Sequence, residues 1–354
     1  MTITEHRQAI DKLDAQIVQL LNQRTRHVLE IGRQKIAAGE EIYAPHREST
    51  LLRRIRQLNS DGPITDESLV AIYREVMSSA LSLQKLMTIA YLGPETTFTH
   101  QAAIQRFGHS LIYSPQKTIA DVFAEVSKDR AAYGVVPVEN STEGVVSHTL
   151  DMFMDSDLKI VAQILLPIEH CLVSKCSLAA IKKLYSHPQA YAQCRGWLRE
   201  HLPGAEFIES SSTTRAAMMA AQEKRAAAIS SALAAEAHKL RILETGIQDN
   251  ADNTTRFLVL GRKCSPTTGR DRTSVMFSLA DKVGALHDVL RPLRQHRLNM
   301  TKIESRPSRR KAWEYCFFVD IEGHAEDPKV ARALHKLGER CAFLKVLGSY
   351  PYGD

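Results

Sequence analysis

The sequence predicts a multidomain protein with an all-α N-terminal segment, an α/β middle segment and an α+β C-terminal segment. Three observations carry this. Up to about Gln84 the apolar residues recur at helical spacing and no strand pattern interrupts them. From about Met87 to Lys263 short apolar runs alternate with helices, the α/β pattern. From about Arg272 the order reads βαββαβ, which is ferredoxin-like. A chain of 354 residues also exceeds one ordinary core, so two or three domains are expected.

The first helix runs from near Thr4 into the high thirties and crosses Gly32. Heptad steps through Arg7, Asp14, Leu21, Val28 and Lys35, and through Ile10, Ile17, Arg24 and Ile31, form one seam of it. Arg7, Arg24 and Lys35 therefore sit among Ile, Leu and Val. A buried cation needs a neutralising partner, and Asp14 can serve one of them at most. A single cation in such a seam snorkels to the helix edge. Three in register, with Arg47-Glu48 just downstream, point to a site for a small polyanion. At 1.5 Å per residue Arg7 and Arg24 lie roughly 25 Å apart along the axis, and Arg24 and Lys35 roughly 16 Å. Two adjacent helices can close the second gap around a metabolite but not the first. An antiparallel helix of a second copy delivers Arg7 most simply, which predicts a helical dimer with shared sites.

The stretch Gly39 to Pro45 breaks the first helix, because the residue before a proline avoids the helical region. A second helix spans about His46 to Leu58 and ends at the turn Asn59-Ser60-Asp61-Gly62-Pro63. A third begins near Thr65-Asp66-Glu67 and presents Leu69, Ile72, Val76 and Leu83. Helices of such unequal length cannot bury the long one alone, which again argues for pairing.

In the middle segment the strand candidates are Thr88–Tyr91, Tyr133–Val136, Ile160–Ile164, Lys183–Tyr185, Glu206–Ile208, Ala227–Ile229 and Arg256–Leu260. Helices start after polar turns at Thr99, Ser147, Pro188, Ser212 and Ser231. These turns offer hydroxyls and free N–H groups that suit a carboxylate. No G-x-G-x-x-G or phosphate loop occurs, so no nucleotide is expected. In the last segment Thr273–Leu279, Asn299–Ser305, Tyr315–Ile321 and Phe343–Leu347 are the strands, with helices from Gly284 to about His296 and from about Pro328 to Glu339. It has no obvious nucleophile–base pair and reads as a binding or regulatory module.

Composition narrows the class. Hydrophobic residues at 44% and charged residues at 24% are those of a soluble globular protein. The net charge of +6 is spread and aromatics are few, so no nucleic acid is expected. The runs Arg53-Arg54 and Arg309-Arg310-Lys311 read as solvated. The six cysteines form no C-x-x-C pair and no disulfide-like framework, so a reducing cytoplasm is expected and a zinc site is not. The start M-T-I-T-E-H-R has no apolar export core, and no later stretch would span a bilayer.

Specific motifs then appear: Y-L-G-P-E-T-T-F-T-H at 91–100, V-P-V-E-N-S-T-E-G at 136–144, Y-S-H-P-Q at 185–189, N-T-T-R-F at 253–257, G-A-L-H at 284–287 and E-S-R-P at 304–307. With them, over nearly its whole length, the chain resembles the bifunctional chorismate mutase–prephenate dehydratase family of bacterial phenylalanine biosynthesis. The resemblance implies a mutase domain at 1–86 forming an intertwined dimer and a two-lobed, periplasmic-binding-protein-like dehydratase at 87–264. It implies an ACT regulatory domain at 271–354. The assembly it implies is a homodimer or a higher even oligomer.

For the mutase, the resemblance places Arg7, Arg24, Lys35, Arg47, Glu48 and Gln84 on active-site positions. The rearrangement of chorismate is pericyclic, so no nucleophile, metal or cofactor is expected. The protein must fold a dicarboxylate and stabilise charge growing on the ether oxygen. Arg24 and a neighbour's Arg7 are expected to hold carboxylates, and Lys35 and Gln84 to donate to the ether oxygen. Glu48 is expected to take the substrate hydroxyl, and Arg47 to support a carboxylate or the local network. Ala44 stands where some relatives place an acidic residue.

For the dehydratase, the family implies that Thr255 donates to the departing hydroxyl of prephenate, with Arg256 as orienter or side-chain anchor. Asn140, Ser141, Ser186, His187, Gln189, Ser212, Thr213 and Thr214 are expected to line the cleft. Each Ser or Thr has helix capping as its alternative, and His187 either orients its loop or transfers a proton. Thr96 stands where relatives often carry glycine, which requires a compatible φ or a shifted loop. For the ACT domain the family binds phenylalanine between paired domains and is turned down by it. Gly284, Ala285 and Leu286, Leu298, Asn299 and Met300, and Glu304, Ser305 and Arg306 are the residues implied. The competing readings are a dehydratase that prefers arogenate, with the mutase kept for assembly, and a non-catalytic amino-acid-binding regulator.

Overall fold

Thr2 starts the longest helix of the chain, α1 (Ile3–Ala37), through a reciprocal capping box with Glu5. In this computed structural model, which describes residues 1–60, 62–280, 282–308 and 314–352, α1 is largely open to solvent. The Arg309-Arg310-Lys311 run lies outside the described residues. Ile10, Leu13, Ile17, Val18, Leu20, Leu21 and Ile31 are all exposed, and Gly32 is the one buried residue of α1. The next helices are α2 (Pro45–Leu58), with Pro45 in its first turn, and α3 (Asp66–Gln84), capped by Thr65. Of the apolar face expected for α3, Leu69 and Val76 are half-buried, whereas Ile72 and Leu83 remain exposed. Its buried residues are Val70, Ser78 and Ala80.

These helices form one unit, residues Met1–Thr88, and the short stretch Arg106–Ile112 belongs to it. Arg106 Nε donates to Tyr43 Oη at 2.7 Å, the Ser110 amide donates to Ser78 Oγ at 3.1 Å, and the Ile112 amide donates to the Met87 carbonyl at 3.2 Å.

The second unit holds Ile89–Gln105 and everything from Tyr113 onward. In chain order its elements are β1 (Thr88–Leu92), α4 (Phe98–Phe107), β2 (Ile112–Gln116), α5 (Ile119–Ser127), β3 (Tyr133–Asn140), β4 (Gly144–Val145), α6 (Ser147–Met152) and β5 (Lys159–Pro167). Then come β6 (Cys171–Ser174), β7 (Lys183–Ser186), α7 (Pro188–Gln193), α8 (Arg195–His201), β8 (Glu206–Glu209), α9 (Thr213–Gln222), β9 (Ala226–Ser230), α10 (Ala232–Ala237), β10 (Arg241–Glu244) and β11 (Thr254–Gly261). The last six are β12 (Asp271–Ser278), α11 (Ala285–Gln295), β13 (Met300–Pro307), β14 (Tyr315–Glu322), α12 (Pro328–Gly338) and β15 (Phe343–Pro351).

Two sheets make the two lobes of the middle region. One has the order β2-β1-β3-β11-β5, with β4 on β3; the other has the order β10-β6-β9-β7-β8. The chain leaves the first sheet after β5 and returns in β11, which pairs antiparallel with both β3 and β5. Every expected strand is present. The additional strands β2, β4, β6 and β10 carry weak signals: β2 contains Pro115 and is an edge, β4 is only two residues long, β10 is a largely exposed edge, and β6 is only four residues long.

The third sheet is antiparallel, in the order β13-β14-β12-β15. One face packs α11 and α12 through Val275, Phe277, Val319, Val289, Leu293 and Leu334. The other face shares a core with the first lobe, where Met276, Phe318, Leu347 and Tyr350 meet Val138, Ile160 and Leu258. Among the described residues no helix is long and apolar enough to cross a membrane.

Candidate active sites

In the helical unit the expected cations stand along one stripe of α1. Arg24 is half-buried, and its Nη1 is buried without a hydrogen-bond partner. Such an orphaned guanidinium nitrogen suits an incoming carboxylate. Lys35 Nζ donates to the carbonyls of Glu41 and Ile42, each at 3.2 Å, and so pins the loop that precedes α2. Gln84 packs on α1 where that helix has no side chain. A Cβ at Gly32 would lie 2.4 Å from Gln84 Oε1. Gly32 is about one turn before Lys35, so Gln84 lies over α1 toward the Lys35 end of the stripe.

Glu48 is buried at 8% exposure, with Oε2 3.5 Å from Arg106 Nη2 and Oε1 left without a partner. Burial, and then the charge of Arg106, lower the pKa of Arg74, which also feels Glu48 and Arg56. Arg7 and Arg47 are exposed. Ala44 occupies the N-cap of α2 and supplies no side-chain cap.

In the middle region β3 and β11 place Asn140 opposite Thr255. Asn140 Nδ2 donates to Thr255 Oγ1 at 2.8 Å and to Asn253 Oδ1 at 2.7 Å, while its Oδ1 accepts the Thr142 and Glu143 amides at 3.0 Å. Those two amides fix which end of the Asn140 side chain faces Thr255. The Thr255 oxygen is thus an acceptor, and its own proton is available to a substrate oxygen. Ser141 Oγ binds the Asp252 carbonyl and the Thr254 amide, each at 2.9 Å, and holds this corner closed.

Gln193 of α7 reaches across from the second lobe. Its Nε2 donates to Glu143 Oε1 at 2.9 Å, and its Oε1 accepts from Asn253 Nδ2 at 3.3 Å and faces His170 Nε2 at 2.8 Å. Burial lowers the pKa of His170, whose Nε2 donates to the Gln193 oxygen.

Several expected cleft residues act locally. Ser212 caps α9 by accepting the Arg215 amide at 3.0 Å. His187 caps α7 through Nδ1, which accepts the Gln189 amide at 3.3 Å. Ser186 is buried and donates to the His187 carbonyl, the Thr213 carbonyl accepts from Ser230 Oγ, and Gln189 is exposed. Thr96 has φ 64°, so the threonine keeps the left-handed backbone that favours glycine and does not take the compatible φ expected of it. It is anchored by its amide to His100 Nδ1 at 3.0 Å, by its hydroxyl to Thr214 Oγ1 at 3.2 Å, and by Ser231 Oγ on its carbonyl at 3.2 Å.

Arg256 is turned away from Thr255. Its guanidinium donates to Asp320 Oδ2 at 2.6 Å and Tyr350 Oη at 2.8 Å, both on the third sheet. Arg306 of that sheet in turn reaches the first lobe, its fork lying on Asp151 of α6 at 3.2 and 3.3 Å. Gly284 takes φ +78° at the start of α11, a conformation for which glycine is the default residue. Ala285 and Leu298 are half-buried, Leu286 and Ser305 exposed, and Met300 and Glu304 half-buried along β13. Asn299 Nδ2 donates to Glu322 Oε1 at 3.1 Å.

Comparison with known proteins identifies the chain. Residues 6–85 match the family model for chorismate mutase type II, 89–265 that for prephenate dehydratase and 273–339 that for the ACT domain. The chain is 49% identical over 353 residues to the bifunctional chorismate mutase/prephenate dehydratase of Aquifex aeolicus, covering 99% of this chain and 98% of that one. The chain belongs to the bifunctional chorismate mutase/prephenate dehydratase family. It is 46% identical over 350 residues to the family's Neisseria gonorrhoeae member, covering 98% of this chain and 96% of that one. The prephenate dehydratase of Arthrobacter aurescens, solved in complex with L-Phe, matches with a TM-score of 0.70 at 36% identity, over 75% of this chain and 90% of that one.

As a bifunctional chorismate mutase/prephenate dehydratase with an ACT domain, the chain is an isomerase and a lyase of phenylalanine biosynthesis. Neither the arogenate-preferring reading nor the non-catalytic regulator is favoured by these matches. Sequence reasoning passed over Arg106, Gln193 and His170. Arg106 and Gln193 are single polar residues in helices whose partners lie far along the chain. It also passed over Asn253, for which a signal existed, since it opens the N-T-T-R-F motif and binds Asn140.

Proposed function

We propose that Arg24, Lys35 and Gln84 carry the rearrangement of chorismate and that Thr255 carries the dehydration of the prephenate it yields. In the first reaction Arg24 binds a substrate carboxylate, and Lys35 and Gln84 donate to the ether oxygen as its bond breaks. Buried Glu48, with an unpartnered Oε1, takes the substrate hydroxyl. Arg47 is assigned to the entrance, where its exposure leaves it able to meet a carboxylate. Arg7 acts in the site of a second copy. The exposed Ile10, Ile17, Leu21 and Ile31 of α1 support this, because a contiguous apolar face of that kind calls for a partner. The assembly is then a homodimer or a higher even oligomer.

In the second reaction Thr255 donates to the departing hydroxyl while the ring carboxylate leaves as carbon dioxide and the ring aromatises. The observation that carries this assignment is the oriented Asn140 amide on Thr255 Oγ1, which turns the threonine into a donor. Ser141, Ser186, His187, Gln189, Ser212, Thr213 and Thr214 shape the cleft. Arg256 acts as an anchor rather than a direct substrate contact, as its bonds to Asp320 and Tyr350 suggest.

L-Phenylalanine is the regulatory ligand in this reading, supported by the complex of the Arthrobacter relative with L-Phe. It binds near Gly284, Ala285 and Leu286, between paired ACT domains, beside Leu298, Asn299 and Met300 and the strand bearing Glu304, Ser305 and Arg306. We set the domains at 1–86, 87–264 and 271–354, which the family matches at 6–85, 89–265 and 273–339 support. A cytoplasmic location follows from the same biosynthetic role.

The test uses purified protein and chorismate alone, following chorismate loss and phenylpyruvate appearance with and without phenylalanine. Both should be seen, with phenylalanine slowing the second. Arg24→Ala should abolish mutase turnover and spare the dehydratase, and Thr255→Val should do the reverse. Loss of both activities in either folded variant contradicts the assignment.

A further inference from the structure

The two strands that carry the dehydratase pair carry a second pair on their opposite face. Successive side chains of a strand point to opposite faces, so Thr255 and Arg256 diverge on β11, as do Asn140 and Glu139 on β3. The register sets Thr255 against Asn140 and Arg256 against Glu139. The first pair is joined by a hydrogen bond of 2.8 Å. The second is held by the ACT sheet. Arg256 reaches Asp320 at 2.6 Å and Tyr350 at 2.8 Å, and Lys302 Nζ lies 2.7 Å from Glu139 Oε2. Ser274 binds both Asp320 and Tyr350, and all of Arg256, Asp320, Ser274 and Tyr350 are buried. A buried charge leaves its partner only at the cost of standing uncompensated, so such a pair resists displacement.

We propose that Asp320 and Lys302 of the ACT domain are positioning residues for prephenate dehydration. Through Arg256 and Glu139 they fix the strand ladder that aims Thr255 and Asn140, and they pass the state of the ACT sheet to it. The proposal rests on the assignment of Thr255 as the donor. Small movements suffice, because a misplacement of about 1 Å at a reacting group costs up to about a hundredfold in rate. Lys302 sits on β13, the edge strand that continues through Glu304 to Arg306, and Arg306 grips Asp151 of α6. The strand expected to meet the effector therefore holds the first lobe at two points. A ligand that prefers one arrangement of that strand shifts the ladder by its difference in affinity between the two arrangements.

The experiment compares full-length Asp320→Asn and Lys302→Met with the conservative Asp320→Glu and Lys302→Arg. It reads kcat and KM for prephenate, the phenylalanine concentration giving half inhibition, and mutase turnover. Dehydratase kcat should fall about tenfold in Asp320→Asn and Lys302→Met with KM moved less than about threefold. The half-inhibiting concentration should shift about tenfold or more, a coupling change of ordinary size, and mutase turnover should hold. Lys302→Arg should recover most of the loss, which a packing role would not predict. Should Asp320→Asn fail to fold, Lys302→Met decides alone. Parental kcat and phenylalanine response in folded Lys302→Met overturn the proposal, and a lowered kcat with an unchanged phenylalanine response overturns the transmission half. Thr255→Val in the same series separates the two kinds of failure. Full activity there removes the donor assignment and this proposal together, whereas loss there beside a normal Lys302→Met removes the coupling only.

Discussion

Replacing Gly32 by alanine should separate stability from catalysis in the helical domain. On the present backbone the new Cβ lies 2.4 Å from Gln84 Oε1, 2.9 Å from its Cγ and 3.0 Å from its Cδ. Non-bonded heavy atoms settle near about 3.5 Å or more, so the Gln84 side chain must move by about 1 Å. Its bond to the Ala80 carbonyl, 3.1 Å, goes with it. Two terms then oppose each other in stability. Alanine in a helix interior gains about 0.5–1 kcal/mol over glycine. Overpacking costs about 1–3 kcal/mol where nothing yields, but Gln84 is the last residue of α3, half-buried, and can swing outward. The net change in folding should stay within about 1 kcal/mol, the balance of those two terms. Catalysis has no such escape. Losing a donor aimed at developing charge costs about 2.7–4 kcal/mol, or about a hundred- to a thousandfold in kcat. The assay is chorismate disappearance under saturation, with the melting temperature and prephenate dehydration measured on the same protein. A folded Gly32→Ala enzyme with parental mutase turnover would refute the placement of Gln84 as the ether-oxygen donor.

Other perturbations probe other parts of the chain. Thr96→Gly relieves a left-handed backbone worth about 1–2 kcal/mol and loses the hydroxyl bridge to Thr214, worth about 0.5–1.5 kcal/mol. Urea unfolding should therefore move little, and a loss above about 2 kcal/mol would mean the bridge dominates. Burial lowers the His170 pKa below its ordinary 6.5, so the folded protein binds fewer protons than the unfolded chain as pH falls through that value. Stability on this account is full above that pH and declines as pH drops through it toward the depressed folded pKa. Melting temperatures should show the decline, and an equal decline in His170→Gln would remove His170 as its source. Co-expressed Arg7→Ala and Arg24→Ala chains should regain about a quarter of parental mutase sites, because random pairing makes half of the dimers mixed and each mixed dimer rebuilds one site. Failure of the mixture to recover activity would argue against sharing. Arg106→Met should weaken chorismate turnover by removing the cation beside Glu48, and unchanged mutase kinetics would show that Glu48 needs no such support.

What the sequence made legible follows the strength of each physical signal. The 35-residue α1 repeats its seam over many turns, so its length, its Thr2 start and its cation stripe could all be anticipated to within a few residues. Edge strands β2 and β10 lack that redundancy, since an exposed strand of four or five residues need not alternate cleanly. Arg256 shows a different limit. Adjacency in N-T-T-R-F suggested a shared task with Thr255, but neighbours on a strand face opposite ways, and only the sheet's surroundings reveal what each side meets. Ser212 and His187 cap α9 and α7, the local use that a polar residue before a helix commonly has. Asn140 was expected at the cleft from its motif, whereas the two backbone amides that orient it depend on a turn geometry that sequence pattern does not encode.

The stretch Arg106–Ile112 lies within the residues that match the dehydratase model yet folds with the mutase helices. Tyr43, Glu48, Ser78 and Met87 all find partners in it. Two enzymes joined end to end should come apart at the join, and severing this chain after residue 86 would instead strip the mutase of a surface it has come to rely on. A mutase half cut there would have to recover the partners of Tyr43, Glu48, Ser78 and Met87 from seven residues that lie beyond the cut.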